Sequence, residues 1–179
     1  MAKLPDIREE LPIPEGVEVS LDGAVLTVKG EKGEIKRDFT HPKVKVSIEN
    51  NSIVVSCKNP RRKQKALVGT FLAHMRNMFK GVTEGFEYKM KIVYSHFPIK
   101  TTVKDNQFII ENFLGERAPR KALILDGVDV EIKGDQVFVR GIDKEKVGQT
   151  AANIERATRV KNRDVRVFQD GIYRVSRGG

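Results

Sequence analysis

The sequence has 179 residues, with 33 Lys and Arg side chains against 24 Asp and Glu side chains and a formal net charge of +9. This excess of positive charge favours a polyanionic partner such as nucleic acid. A single cysteine, Cys57, excludes an internal disulfide framework and suits a reducing compartment. No secretory signal is present at the start and no run reaches transmembrane length. The sequence therefore predicts a soluble, cytoplasmic protein of one ordinary domain or two small ones.

The first half predicts two hairpins followed by a helix. Alternating apolar residues predict four strands, at residues 17–21, 25–29, 44–48 and 53–57. Asp22-Gly23 is a strong hairpin turn between the first two strands. Asn59 is a candidate helix cap, and Pro60 is favoured at the first helical position because its missing N–H costs nothing there. The apolar stripe that follows predicts a helix over about residues 60–80, ended by Gly81.

The second half repeats the first. The apolar positions Val44, Val46, Ile48, Ile53 and Val55 recur 84 positions later as Val128, Val130, Ile132, Val137 and Val139. Leu26 and Val28 have counterparts at an offset of 82, and the helix beginnings match at an offset of 79. Such self-similarity is the sign of an internal duplication.

The organisation of the second half follows from the repeat. Asp143 predicts the cap of a second helix, over about residues 144–159, and a short strand is expected after the helix in each half. Gly81 and Gly85 punctuate a short connection, so the boundary is placed near residues 83–86. The predicted domains are residues 1–85 and 86–179.

Three stretches concentrate positive charge. Residues 58–65 supply five cations at a helix beginning with no acid among them, which opposes the helix dipole. Residues 114–121 place cations around Ala118-Pro119, and residues 159–177 hold six basic side chains against two acids. Each stretch predicts either an anion-binding surface or an ordinary solvated one.

The last of these stretches predicts a hairpin. The alternation from Asp164 to Phe168 indicates a half-buried strand, and Asp170-Gly171 is a tight-turn signal. Such a hairpin would display arginines beside Phe168 or Tyr173, and guanidinium groups with an available aromatic ring suit an RNA surface. Tyr173 is expected either to stack on a base or to pack in the core.

Catalytic and metal-binding signals are absent from the sequence. The three histidines are scattered, and with one cysteine they form no metal-ligand spacing. His96 has no acid close to it in sequence to orient it, so a structural or RNA-facing role is favoured. Cys57 ends a buried-strand pattern and predicts core packing. Neither a catalytic site, a metal nor a cofactor is predicted.

Four segments together resemble the sixth large-subunit ribosomal protein (the "L six" family) in its archaeal and eukaryotic form. They are YSHFP at 94–98, NFLGERAPRK at 112–121, GIDKEKVGQTAANIE at 141–155 and RVFQDGIYRV at 166–175. The resemblance spans essentially the whole chain, including the repeat. Bacterial members carry a different C-terminal motif, so their RNA contacts do not transfer to these positions one for one.

The resemblance implies an α+β fold with two similar lobes from an internal duplication, each an antiparallel sheet packed against a helix. It implies a structural, non-enzymatic role in the large ribosomal subunit. The second lobe would bind large-subunit rRNA near the sarcin–ricin loop and the stalk base, beside neighbouring ribosomal proteins and with indirect support for elongation factors. The candidate rRNA-binding residues are Arg117, Arg120, Lys121, Arg159, Lys161, Arg163, Arg166, Tyr173, Arg174 and Arg177.

Two alternatives belong to other classes of protein. A free-standing RNA-binding regulator could use the same basic surface. An RNA-acting enzyme could use His96 with a carboxylate brought from a distant part of the chain.

Overall fold

A computed structural model describes residues 5–176, and the chain divides into two compact units between Gly85 and Phe86. Strands are the most abundant secondary structure in both units, and each unit contains a single α-helix among its described residues. Each unit has a hydrophobic core of its own.

The first unit consists of two antiparallel three-stranded sheets and a helix. The strands are β1 (Ile7–Pro12), β2 (Glu18–Asp22), β3 (Val25–Gly30), β4 (Gly33–Asp38), β5 (Val44–Glu49) and β6 (Ser52–Cys57), and the helix is α1 (Arg62–Thr83). One sheet has the order β1-β6-β5 and the other β2-β3-β4. Helix α1 packs against strands of both sheets. Its apolar stripe is buried there, with Phe71 edge-on to Phe39 at 5.0 Å between ring centroids.

The second unit repeats this plan with one more strand. Its strands are β7 (Phe86–Val93), β8 (Lys100–Lys104), β9 (Gln107–Glu111), β10 (Arg120–Leu123), β11 (Val128–Lys133), β12 (Gln136–Gly141) and β13 (Gly171–Ser176). A 3-10 turn spans Phe113–Gly115, and helix α2 spans Lys144–Ala157. The sheets have the orders β11-β12-β7-β13 and β10-β9-β8, and α2 packs against strands of both.

The duplication is visible in the sheets and in the core. The order β5-β6-β1 in the first unit corresponds to β11-β12-β7 in the second, and β2-β3-β4 corresponds to β8-β9-β10. At matched positions of the repeat, both side chains are buried, each in the core of its own unit. Leu26 and Phe108 are one such pair, and Ile53 and Val137 are another. The predicted α+β fold with two similar lobes is confirmed, and each lobe contains two antiparallel sheets.

The predicted ends of α1 are wrong by two or three residues. Arg61 precedes the first helical turn, and its N–H donates to the Gln64 side chain at 2.8 Å. Asn59 does not cap the helix: its backbone is left-handed at φ 49°. Gly81 lies inside the helix and does not end it; Gly85 takes φ +78° and its N–H reaches the Lys80 carbonyl oxygen.

The predicted hairpin at the C-terminal end does not form. Asp164 Oδ1 accepts the backbone N–H of Arg166 at 2.9 Å, and the Asp164 carbonyl accepts from Phe168 at 2.8 Å. A side-chain turn of this kind offers the backbone an alternative to strand pairing, and it occupies residues 164–168 in place of the predicted strand. Val165 is 64% exposed as a result. From Gly171 onward the chain pairs with β7 instead.

The short strand expected after each helix occurs only in the second unit. There β13 follows α2 and extends the sheet beside β7. After α1 the chain passes directly into β7, which belongs to the second unit. The second unit therefore has a strand, β13, with no counterpart among the described residues of the first.

Because each unit has its own core, we propose that residues 86–179 fold alone. Unfolding of this fragment, with and without the substitution Ile154→Ala, tests its independent folding and the burial of α2. Ile154 is fully buried on α2. Its truncation is expected to lower the free energy of unfolding of this fragment by roughly 2–5 kcal/mol, from lost burial and the cavity left behind. Urea unfolding measures this, with exposed Val165→Ala as the control. A fragment without a cooperative transition contradicts independent folding, and a loss below roughly 0.5 kcal/mol contradicts the burial of α2.

Candidate nucleic-acid interface

The segment from Asn112 to Pro119 is a tightly held turn that presents Arg117. Asn112, Leu114 and Gly115 all adopt left-handed backbone conformations, with φ of 60°, 53° and 74°. Such a conformation is costly for leucine, and burial of the Leu114 side chain offsets the cost. The Asn112 side chain also donates to the Pro98 carbonyl at 3.0 Å. Arg117 is exposed on this anchored turn.

Arg120 joins this turn to the end of α2. Its guanidinium donates twice to the Glu116 carboxylate, at 2.6 and 2.8 Å. The same group donates to the carbonyl oxygens of Ala157 and Arg159, at 3.0 and 2.9 Å. It also lies 4.4 Å from the centroid of the Phe113 ring. The planar fork of arginine makes these contacts at once, which a lysine could not do. Two basic segments, 113–121 and 157–161, are thereby held together.

The contact with Arg120 keeps the Glu116 carboxyl in its charged form. The hydrogen bond from Arg120 lowers the pKa of the Glu116 carboxyl, and the positive charges of Arg120 and Arg163 add to this, while burial opposes it. Glu116 is therefore ionised at neutral pH and holds the Arg120 fork. The segment after α2 lies beside the 113–121 turn, since the Arg159 carbonyl oxygen accepts from Arg120.

Residues 159–169 form an irregular segment with exposed cations. Arg159, Lys161 and Arg163 are all exposed, and the Arg163 guanidinium lies 4.9 Å from the centroid of the Phe168 ring. Arg166 is exposed too, but pairs with Asp164 at 3.2 Å. Hydrogen bonds from the Arg166 side chain and backbone lower the pKa of Asp164.

A buried carboxylate ties residues 94–98 to the C-terminal segment. The Asp170 side chain is 0% exposed, and its Oδ1 lies 3.0 Å from His96 Nδ1. Asp170 also accepts from the Ser95 hydroxyl and backbone N–H, each at 3.3 Å. The His96 ring stacks on Phe168 with centroids 4.5 Å apart. Burial raises the pKa of the Asp170 carboxyl, but the hydrogen bonds from His96 and Ser95 together outweigh burial and leave the pKa below its ordinary value.

This cluster does not have the geometry of a catalytic triad. In a triad the carboxylate and the nucleophile bond to different ring nitrogens of the histidine. Here Ser95 Oγ and Asp170 Oδ1 both approach Nδ1, at 3.1 and 3.0 Å. Ser95 also donates directly to Asp170. The cluster therefore orders the loop, although it does supply His96 with the carboxylate that the enzyme alternative required.

Tyr173 and Arg174 lie on β13 beside a cleft of about 540 Å³ between α2 and the 160–169 segment. Tyr173 is 43% exposed, so it is not a core residue. Its hydroxyl donates to the Gln169 carbonyl at 2.9 Å. Partial burial raises the pKa of the Tyr173 hydroxyl, and the negative charges of Asp170 and Glu155 raise it further. Gly171 allows the ring to approach, because a side chain there would meet it at 3.1 Å. Arg174 pairs with Glu155 at 2.9 Å.

The candidate residues thus fall into three groups. Four are exposed and pair with no carboxylate of residues 5–176, and they are Arg117, Lys121, Arg159 and Lys161. Five make contacts within the unit, and they are Arg120, Arg163, Arg166, Tyr173 and Arg174. Arg177 lies outside the described residues.

Sequence reasoning missed the role of Arg120 and the position of Asp170. Glu116 and Arg120 are four residues apart, which was a weak signal for their pairing. Nothing in the sequence pointed to the carbonyl oxygens at the end of α2. Asp170 stands before a glycine and resembled a turn residue, although its side chain is buried.

The described residues contain no helix long and apolar enough to cross a membrane. Within residues 5–176 there is also no group of three or more His, Cys, Asp or Glu side chains able to hold a metal ion.

Comparison with known proteins agrees with the duplicated architecture. The family model described as "Ribosomal protein L6" matches the chain twice, over residues 13–85 and 97–171. The chain belongs to the ribosomal protein L6 family. Two relatives are each named large ribosomal subunit protein uL6. The one from Methanobrevibacter smithii is 53% identical over 171 residues, or 96% of each chain. The one from Methanococcus vannielii is 51% identical over 173 residues, or 97% of this chain and 95% of the relative. The suspected family is confirmed, and this family is a structural rather than an enzymatic one.

The contribution of the Asp170 carboxylate to the free energy of unfolding is expected to depend on pH. Its pKa in the folded protein lies below the ordinary value of about 3.9. The carboxylate therefore stabilises the folded protein above that value, and the contribution is lost as the pH falls through the lower folded-state pKa. Asp170→Asn is expected to lower the free energy of unfolding by roughly 1–3 kcal/mol at neutral pH, because His96 and Ser95 lose a charged acceptor.

Urea unfolding of the parent and variant proteins at neutral pH and below about pH 3 tests this. The difference between the two proteins should shrink at acid pH. Asp126→Asn removes an exposed carboxylate of the same unit and is the control. A difference that is equal at both pH values, or absent at neutral pH, contradicts the assigned role.

Proposed function

We propose that this protein is a structural component of the large ribosomal subunit and that its second unit makes the main contact with large-subunit rRNA. The observation that carries the proposal is the Arg120 contact set, which holds two basic segments in one surface. Phosphate groups require positive charges at fixed positions, and a surface assembled before binding loses less conformational entropy when it binds.

The four cations without a carboxylate partner are the best candidates for phosphate contacts. Arg117 and Lys121 flank Arg120 on one segment, and Arg159 and Lys161 lie on the other. Each can neutralise a phosphate without first breaking an ion pair. Arg166 and Arg174 would have to share or exchange Asp164 and Glu155, respectively. Arg120 is proposed as a positioning residue, since four of its five N–H donors are already engaged.

The location proposed within the subunit is the region of the sarcin–ricin loop and the stalk base. Neighbouring ribosomal proteins would lie beside it there, and elongation factors would be supported indirectly. The support for this finer location is the resemblance of residues 112–121 and 166–175 to the archaeal and eukaryotic form of the family. Membership of the family and relatives named large ribosomal subunit protein agree with it.

A free-standing RNA-binding regulator would use the same surface, and co-sedimentation with large subunits in high salt separates that alternative from the proposal. A ribosomal component stays with the large subunit, whereas a regulator that binds by charge alone dissociates. The enzyme alternative lacks support, since Ser95 and Asp170 approach the same nitrogen of His96.

Substitution of the exposed cations is expected to reduce the salt dependence of rRNA binding. Each contact with a phosphate releases counterions, so Arg117→Ala, Lys121→Ala or Arg159→Ala should each reduce the slope of log K against log salt by roughly 0.7–0.9. Filter binding of the full-length protein to a large-subunit rRNA transcript over a salt series measures the slope.

Tyr173→Ala should leave the slope unchanged and weaken binding by roughly 1–3 kcal/mol if the ring stacks on a base.

Lys89→Ala is the matched control for these variants. Lys89 is exposed on β7, between the buried residues Tyr88 and Met90, and so lies on the face of the sheet away from the core. Its loss should not change the slope. If Arg117, Lys121 and Arg159 variants all keep the parent slope and affinity, the second unit does not bind rRNA through this surface.

A further inference from the structure

The first unit carries a cleft lined mainly by lysine side chains. It has a volume of about 360 Å³ and is lined by Pro42, Lys43, Lys45, Ser56, Lys58 and Asn59. Lys45 is on β5, an edge strand of its sheet, and Ser56 is directly opposite it on β6. Lys43 and Lys58 come from the chain segments just outside these two strands. The antiparallel pairing of β5 with β6 therefore brings three ammonium groups to one end of the sheet. We refer to this site as the basic cleft.

The chain following the cleft adds further positive charge. Arg61, Arg62, Lys63 and Lys65 are exposed where α1 begins, and the first turn of the helix has no acidic residue. Cations at this end of a helix oppose its dipole, so their presence has a small cost in the free protein. An anion bound in the cleft would offset that cost. The helix beginning strengthens the field of the cleft but is not itself the site.

The cations of the basic cleft are not neutralised by the part of the chain that the structure describes. Among residues 5–176, no carboxylate pairs with Lys43, Lys45 or Lys58. Glu49, the one acidic residue between positions 42 and 65, instead pairs with Arg8 at 2.7 Å. Asp6 approaches the segment, and its carboxylate accepts the backbone N–H of Asn59 at 2.8 Å.

In the second unit, by contrast, several arginine side chains form ion pairs with carboxylates of the same unit. Arg140 is held by Glu87 and Glu131, each at 2.6 Å, and Arg174 is held by Glu155. Several of the cations there are therefore already compensated by their own unit. The basic cleft of the first unit has no such compensation, which is the condition under which an external polyanion gains most from binding.

We propose that the basic cleft binds the phosphodiester backbone of RNA, as a second RNA contact of this protein in addition to the one proposed for the second unit. Three ammonium groups, the Ser56 hydroxyl and the Asn59 side chain supply hydrogen-bond donors for phosphate oxygens. None of the described residues that line the cleft is aromatic, so they offer no ring for a base to stack on. Recognition is therefore by charge along the backbone and independent of base sequence.

RNA suits the basic cleft better than an acidic protein segment does. Protein interfaces place apolar and aromatic side chains at their buried centre and deplete charged residues such as lysine. The lining of the cleft has the opposite composition, with Pro42 as its only apolar member among residues 5–176. A sugar–phosphate backbone requires only closely spaced positive charge and donors.

The proposal is tested with the full-length variant Lys43→Gln/Lys45→Gln/Lys58→Gln. Filter binding to a large-subunit rRNA transcript over a salt series should show a slope of log K against log salt that is reduced by roughly 2–3. Between 50 and 200 mM salt the parent should then lose roughly 15- to 65-fold more affinity than the variant. The control is Lys29→Gln/Lys32→Gln/Lys36→Gln, which removes three exposed lysines of the same unit outside the cleft and should keep the parent slope.

The outcomes are distinguishable from failure of the proposed function. A reduced slope for the cleft variant alone supports the basic cleft even if the Arg117 and Lys121 variants behave like the parent. An unchanged slope for the cleft variant, with normal thermal melting, overturns the proposal. Binding of a poly-glutamate peptide that the cleft variant loses while its rRNA slope is unchanged also overturns it, in favour of an acidic protein partner. If the triple variant melts early, Lys58→Gln alone decides, with an expected reduction of roughly 0.7–0.9.

Discussion

The contacts of Arg120 are the constraint on which the proposed RNA-binding surface depends. One guanidinium holds Glu116, the carbonyl oxygens of Ala157 and Arg159, and the face of Phe113. These contacts join the turn after β9 to the segment after α2. Because four of the five N–H donors of Arg120 bond inside the unit, Arg120 contributes geometry to the surface and its neighbours contribute the charge. The Asp170 cluster has a similar function at residues 94–98 and 164–170, where a buried carboxylate orders loops of low intrinsic regularity.

Much of the fold could be predicted from the sequence because its signals are local. The Asp22-Gly23 turn, the alternating strands and the Asp143 cap each act within a few residues, and the cap accepts from the N–H groups of Glu145 and Lys146 as expected. The repeat could be read because equivalent core positions must be apolar in both units. The C-terminal hairpin was wrongly predicted because alternation alone does not reveal that Asp164 bonds its own backbone ahead. The site was harder still, since an arginine held by carbonyl oxygens 37 and 39 residues away has no sequence signature.

The two units use positive charge in different ways. The second unit pairs several of its arginines with carboxylates and leaves a few cations exposed beside a fixed scaffold. The first unit gathers unpaired lysines at one end of a sheet. Ion pairs in the second unit fix orientation, which suits a site where register on the RNA matters. Unpaired lysines are flexible point charges, which suits a contact that follows the backbone without reading it. Duplication supplied two similar scaffolds, and the distribution of acids between them distinguishes the roles proposed for the two units.

The most direct test of the account is amide hydrogen exchange of the free protein with Arg120→Lys, which keeps the charge but not the fork. The account predicts faster exchange in both segments joined by Arg120, residues 113–121 and 157–161, since the lost charged hydrogen bonds are worth roughly 1.5–3 kcal/mol. Exchange there should rise by about tenfold or more, while the core strands β7 and β12 stay protected. Unchanged exchange in residues 157–161, or a change confined to residues 113–121, would show that Arg120 does not join the two segments.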